Sequence, residues 1–283
     1  MPVAVVSTGS TDGQVPARVE GVSTGSLHTT ALGDQGSRVV FLHGLFGQGR
    51  NWTQIGKALA DRHRVLLVDL PHHGRSGWSD DFDYLEVADQ VAGLLAADDP
   101  VALVGHSLGG KVAMLLALRH PELVARLCVV DVSPVAYAHV SEFERYVAAM
   151  QALDLAALSQ RGEADLALTV AVPDPTVRGF LLQNLRRDGD GWRWQMNLDV
   201  LGAALPVIGG WPEEQLAGTA PYAGPVLWLA GARSDYVLPE YAEAMARWFP
   251  TARRVVVKDA GHWVHSQQPE VFLEVVGRFL GFG

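Results

Sequence analysis

Six short runs of this chain are apolar at every position: 39–42, 65–68, 101–104, 127–130, 226–229 and 255–257. A strand with one wet face alternates polar and apolar residues. An unbroken apolar run needs cover on both faces, as a parallel sheet between two helix layers provides. Segments 52–60, 84–97, 111–120, 239–249 and 269–280 have helix length and fall among these runs. Strand and helix in alternation predict an α/β fold: a mostly parallel central sheet flanked by helices. With 48% hydrophobic and 19% charged residues, the chain has the composition of a globular protein with a large core.

The rhythm breaks between 134 and 221, where no buried strand run occurs. Phe143, Tyr146, Val147, Met150 and Leu153 recur at helical spacing, as do Val177, Phe180, Leu181 and Leu185. Pro173-Asp174-Pro175 separates the two stretches, and Asp188-Gly189-Asp190-Gly191 reads as a turn, followed by Trp192, Trp194 and Met196 on alternate positions. The pattern predicts a mainly helical cap inserted before the last two strands. The chain divides accordingly into 1–133 and 222–283, the two parts of the core, and 134–221, the cap. Laid over the carboxyl end of a sheet, such a cap lines a pocket, with Tyr137, Phe143, Trp192 and Trp194 as candidate substrate contacts.

Gly105-His106-Ser107-Leu108-Gly109 follows one apolar run and opens a helical segment. This is G-x-S-x-G in a strand–turn–helix setting, the arrangement of a nucleophile elbow. The turn lifts the Ser107 hydroxyl out of the chain, and the glycines avoid side-chain clashes where backbones close up. The helix start offers N–H groups and a positive dipole end, so the Leu108 N–H is a candidate oxyanion donor. The same residues through Lys111 spell the first seven positions of a P-loop, but Val112 stands where magnesium needs Ser or Thr. Lys111 is then read as an early surface residue of the helix. His43-Gly44-Leu45-Phe46-Gly47 follows the first apolar run and offers a second oxyanion N–H, from Leu45, with His43 buttressing the turn. Gly261-His262-Trp263 supplies a histidine near the end of the chain, where a general base follows the nucleophile and the acid. His265 packs or caps nearby, and Cys128 reads as a small buried hydrophobe. No HExxH or HxHxDH pattern occurs, so no metal is expected.

These motifs, with Asp69-Leu70-Pro71-His72-His73-Gly74-Arg75-Ser76 between them, resemble the α/β-hydrolase superfamily from residue 37 to the C-terminus. The chain is similar in particular to YbfF-type esterases, through His43-Gly44-Leu45-Phe46-Gly47 with Asn51-Trp52, Gly105 to Lys111, Asp131-Val132-Ser133-Pro134, Trp192-Arg193-Trp194 with Asn197-Leu198, and Gly261-His262-Trp263-Val264-His265. The resemblance implies a serine esterase acting on small acyl esters or thioesters with no cofactor. It also bears on the acid of the triad. Many superfamily members carry it three residues beyond a glycine after the next-to-last strand; here that slot is Ser234, with Asp235 one place late. YbfF-type enzymes look to the end of the preceding strand instead, which implies Asp131, with Asp235 as the alternative. Acyl transfer or C–C bond hydrolysis by the same triad, and a non-catalytic ligand-binding protein on the same fold, are the other readings.

A formal net charge of -9 and the lack of any basic run argue against a nucleic-acid surface. The first twenty residues lack the basic start and apolar core of a signal peptide, and no stretch approaches the ~20 apolar residues of a membrane span. A lone cysteine makes no intrachain disulfide. The expectation is a soluble, cytoplasmic protein with a loose N-terminus and a small-molecule ester as its partner.

Overall fold

The computed structural model describes residues 26–137 and 141–281. The expectation for the N-terminal segment falls outside them. Nine strands are present: β1 (Thr29–Leu32), β2 (Arg38–Leu42), β3 (Arg64–Val68), β4 (Val101–His106), β5 (Val124–Val130), β6 (Leu185–Asp188), β7 (Gly191–Trp194), β8 (Val226–Gly231) and β9 (Ala252–Val257). Seven form one sheet in the order β1-β3-β2-β4-β5-β8-β9. All neighbours are parallel except β1, which runs antiparallel to β3.

The unbroken apolar runs resolve into two faces. Val39, Phe41, Val65, Leu67, Val104, Cys128 and Val130 point one way, onto α1 (Thr53–Leu59) and α11 (Pro269–Leu280) at the end of the chain. Val40, Leu42, Val68, Leu103, Leu127 and Val129 point the other way, onto α2 (Tyr84–Ala92) and α3 (Leu108–Arg119). Successive residues of a strand face opposite sides, so burial on both sides demands apolar residues at every position. Helix α2 ends at Ala92 and not near 97. Beyond it, Leu94 and Leu95 donate to Val91 and Ala92 in a tighter turn that leads back to β4.

Between β5 and β8 the chain runs through α4 (Ser141–Gln151), α5 (Arg161–Leu168), α6 (Pro175–Leu182), the β6–β7 hairpin, α7 (Leu198–Ala203) and α8 (Leu205–Gly209). Tyr146, Val147 and Met150 are the buried face of α4, and Val177, Leu181 and Leu182 that of α6. Asp174 caps α6 through the N–H groups of Thr176 and Val177, with Pro175 at its first position. The inserted segment joins the face of the sheet that carries α2 and α3. Buried Asn184 fixes it there: its Nδ2 donates to the Phe46 carbonyl at 2.8 Å, and its Oδ1 accepts from Gln48 Nε2 at 2.5 Å. After β8 come α9 (Ala242–Trp248) and, after β9, α10 (Val264–Gln267). Among the described residues no helix is long and apolar enough to cross a membrane.

Candidate active site

Side chains with chemistry gather at the carboxyl ends of the parallel strands, the edge where open α/β sheets place their sites. His43 follows β2, Ser107 follows β4, Asp131 follows β5, Ser234 follows β8 and His262 follows β9.

Ser107 has φ 52 and ψ -119, a backbone that side-chain-bearing residues avoid. The fold imposes it: the Ser107 N–H bonds the carbonyl of Val130, while its own carbonyl receives the N–H groups of Gly110 and Lys111 as α3 begins. A side chain at Gly105 would strike the Gly109 carbonyl, and one at Gly109 the His43 carbonyl. A Cβ on Gly44 would lie 3.2 Å from the Ser107 Cβ. The turn after β2 therefore rests directly against the elbow. Leu108 is the first residue of α3, so its N–H has no acceptor within the helix. Leu45 follows Gly44 inside a turn closed by Gly47 N–H to the Gly44 carbonyl, at 2.9 Å.

Two buried histidines hold that turn. His43 accepts from the Leu70 N–H at Nε2 (2.9 Å), so Nδ1 carries the proton and donates to the Gly44 carbonyl at 2.8 Å. His73 accepts from the Phe46 N–H at Nε2 (3.2 Å) and donates from Nδ1 to the Pro71 carbonyl at 2.8 Å. Both rings are thereby fixed as neutral tautomers. Burial agrees: it pulls His43 down to about 4 and His73 well below the usual histidine range.

His262 differs. Its Nδ1 lies 2.8 Å from Asp131 Oδ2, with the ring partly exposed and the carboxylate fully buried. Asp131 also receives the Gly231 N–H on Oδ1 at 2.9 Å and the Ser234 hydroxyl on Oδ2. Three donors converge on one carboxylate, so the charge is satisfied in place and the imidazole is held by a hydrogen-bonded anchor. Ser234, at the slot where an acid stood in question, thus serves Asp131, while Asp235 is exposed. Tyr236 stacks on His262 with ring centres 4.1 Å apart. His106 Nε2 donates to the His262 carbonyl at 2.8 Å, because that oxygen can only accept, and burial and neighbouring histidines disfavour a second proton on the ring.

Two narrow cavities meet at Ser107. One, of about 40 Å³, is lined by Leu45, Leu108, Tyr84, Lys111, Tyr137 and Ile208 among others. The second, of about 30 Å³, is lined by His43, Gly44, Trp52, His262, Trp263 and His265 among others. Phe143 borders both. Tyr137 and Phe143 thus line the cavities at Ser107. Trp192 and Trp194 line neither. Trp192 donates from Nε1 to the Leu158 carbonyl and carries Arg187 on its ring, while Trp194 pairs with Leu185 across the hairpin. Their alternation came from a two-stranded ribbon, not from a pocket wall.

Lys111 is the other correction. It is buried, and its Nζ donates to four backbone carbonyls. The signal was in the sequence: from Leu108 to Leu118, Lys111 is the one polar residue, so the helix has no wet face on which to place it. The roles of Ser234, Tyr236, His73 and His106 had no such marker, because each depends on strands far apart in sequence.

Comparison with known proteins agrees with this fold. A profile of the family described as "alpha/beta hydrolase fold" matches residues 37–269. The chain belongs to the α/β-hydrolase family. Relatives of this α/β hydrolase include the sn-1-specific diacylglycerol lipase ABHD11 of Mus musculus, 41% identical over 250 residues that span 86% of this chain and 80% of that protein. Esterase YbfF of Escherichia coli (strain K12) is 31% identical, over 86% of this chain and 93% of its own. Among solved structures, a marine microorganism esterase superposes on the α/β hydrolase with a TM-score of 0.85 at 32% identity, covering 90% of this chain and 99% of that one.

Proposed function

We propose that Ser107, His262 and Asp131 form the triad of this carboxylic-ester hydrolase, acting on small acyl esters or thioesters through an acyl-enzyme. The observation that carries the reading is the 2.8 Å Asp131–His262 pair beside a serine held at φ 52. His262 Nε2 takes the Ser107 proton as the hydroxyl attacks the carbonyl carbon. The N–H groups of Leu45 and Leu108 receive the developing oxyanion. His262 returns the proton to the leaving oxygen or sulfur, and a water activated by the same imidazole then cleaves the acyl-enzyme. Asp131 fixes the tautomer and balances the imidazolium. Because the leaving group departs toward His262, it occupies the cavity with Trp52 and Trp263. The acyl group lies on the other side, toward Tyr137 and Ile208. The inserted segment acts as the cap over both.

The test is turnover of chromogenic acyl esters by wild type and by Ser107→Ala, with fluorophosphonate labelling located by peptide mapping. Turnover lost with the hydroxyl, and label on Ser107, support the reading. Turnover that survives in Ser107→Ala overturns it, and a folded chain that neither turns over nor labels is a binding protein. Adding a competing alcohol separates hydrolysis from acyl transfer by the products formed.

A further inference from the structure

Lys111 stands one helical turn beyond Ser107 on α3 and is 1% exposed. Its Nζ donates to the carbonyls of Val135, Ile208, Gly209 and Gly210 at 3.1, 3.3, 2.8 and 2.5 Å. The ring of Tyr137 lies 4.8 Å away and that of Tyr84 6.0 Å. Two further bonds close on the same segment: Tyr84 donates its hydroxyl to the Ile208 carbonyl at 2.8 Å, and the Tyr137 N–H donates to the Gly209 carbonyl at 2.9 Å.

The partners explain the charge. Helix α8 ends at Gly209, and the last carbonyls of a helix have no acceptor role to fill within it and carry the negative end of its dipole. An ammonium with three protons answers them, and a neutral amine would turn its lone pair toward an oxygen. Burial pulls Lys111 down to about 7, and the four oxygens act in the opposite direction. The titratable groups facing it, Tyr84 and Tyr137, are both pushed up by burial and stay neutral. Among the described residues no carboxylate pairs with it. A buried charge without a counterion is costly. Packing alone would have placed a leucine here.

Position gives the reason for it. Val135 lies just after β5, where the inserted segment begins, and 208–210 lie near its end. Lys111 ties both to the elbow helix. Ile208 and Gly209, whose carbonyls it holds, line the cavity that Ser107 also lines, together with Leu205. We propose that Lys111 is a positioning residue that sets acyl-chain specificity, by clamping the 205–210 segment against α3 as the end wall of the acyl cavity. This rests on the reading of Ser107 as nucleophile and of this cavity as the acyl side. The cavity is narrow, about 40 Å³, so a short acyl group suits it and a long one requires the wall to move.

The experiment is a chain-length series, acetyl to decanoyl, on nitrophenyl esters with wild type, Lys111→Met and Ile208→Ala, each shown folded by circular dichroism. Wild type is expected to peak at acetyl to butyryl. In Lys111→Met the octanoyl-to-butyryl ratio of kcat/KM rises by roughly tenfold or more, the effect of one or two methylenes in an apolar pocket. The change arises mainly as a lower KM for the long esters. Ile208→Ala, which thins the wall and leaves the ammonium in place, shifts the same ratio upward. A weakened nucleophile lowers every chain length alike and leaves the ratio fixed. A ratio unchanged in folded Lys111→Met overturns the proposal whatever Ile208→Ala does, as does a wild type that prefers octanoyl over butyryl. A wild type that turns over no ester and takes no fluorophosphonate overturns the triad reading as well.

Discussion

Asp131→Asn puts the acid assignment at risk in a way that can be worked through atom by atom. The carboxylate receives Gly231 N–H on one oxygen, and His262 Nδ1–H and the Ser234 hydroxyl on the other. Asparagine keeps one oxygen and offers an NH₂ in place of the second. If the NH₂ faces Gly231, two donors meet in a fully buried place, at a cost of about 1–3 kcal/mol. If it faces His262, Nδ1 must become an acceptor, the ring proton moves to Nε2, and the imidazole can no longer take a proton from Ser107. The second arrangement spares stability and removes the base. The expected loss in kcat is therefore about 10⁴-fold, as for a triad whose histidine is left in the wrong tautomer, or ~5 kcal/mol of transition-state stabilisation. Unfolding free energy should fall by no more than ~3 kcal/mol. The assay is kcat on a short chromogenic ester for Asp131→Asn and Asp235→Asn, with urea unfolding of each. Asp235 is exposed, and its variant should stay near wild type. An Asp131→Asn enzyme within tenfold of wild type, or an Asp235→Asn enzyme that has collapsed, would refute the reasoning.

Ser107→Ala should lose on the order of 10⁴-fold or more in kcat. Its unfolding midpoint should change little, since the elbow backbone is held by main-chain bonds that the substitution leaves alone; a shifted midpoint would contradict this. Gly44→Ala inserts a methyl 2.9 Å from His106 Nδ1 and 3.2 Å from the Ser107 Cβ. Displacing that turn spoils an oxyanion donor, so kcat should fall by ~10²-fold with KM nearly constant; a KM effect alone would argue for a binding role. Stability should depend on pH with a defined sign. Burial pulls His43 down to about 4 and His265 to about 3, from an ordinary value of 6.5. The unfolded chain binds those protons first, so the histidine contribution is flat above pH 6.5 and stability is lost as pH falls from 6.5 toward 4. Unfolding midpoints that do not change between pH 7 and 5 would count against it.

The elements that could be read from sequence are those whose physics is local. Continuous apolar runs marked six strands, five of them because burial on both faces leaves no room for a polar residue, while β9 at the sheet edge leaves Val256 exposed. The elbow was legible because a strained turn between strand and helix dictates glycine at two places. Strand β1 left no trace: it is four residues long, Thr29–Leu32, at the sheet edge, with two exposed positions. The acid was ambiguous for a different reason. Asp131 and His262 are 131 positions apart, and only the order β4-β5-β8-β9 brings them together. The placement of the aromatic residues was readable in part: Tyr137 and Phe143 border the cavities, while Trp192 and Trp194 belong to a ribbon.

The two faces of the sheet have unequal fates. Among the described residues, one core, built with α1 and α11, includes none of the inserted segment, while the other is shared between α2, α3 and that segment. Replacing the insertion with one of another shape leaves the first core in place, so if the proposed triad and acyl wall hold, a graft is expected to keep the chemistry and change the selectivity. The constraint on such a graft is a short one: it must leave β5 just beyond Asp131, re-enter at β8, and present carbonyls to the lysine that waits one turn past the serine. Descendants of this scaffold can diversify on one side of the sheet while the other side keeps the fold.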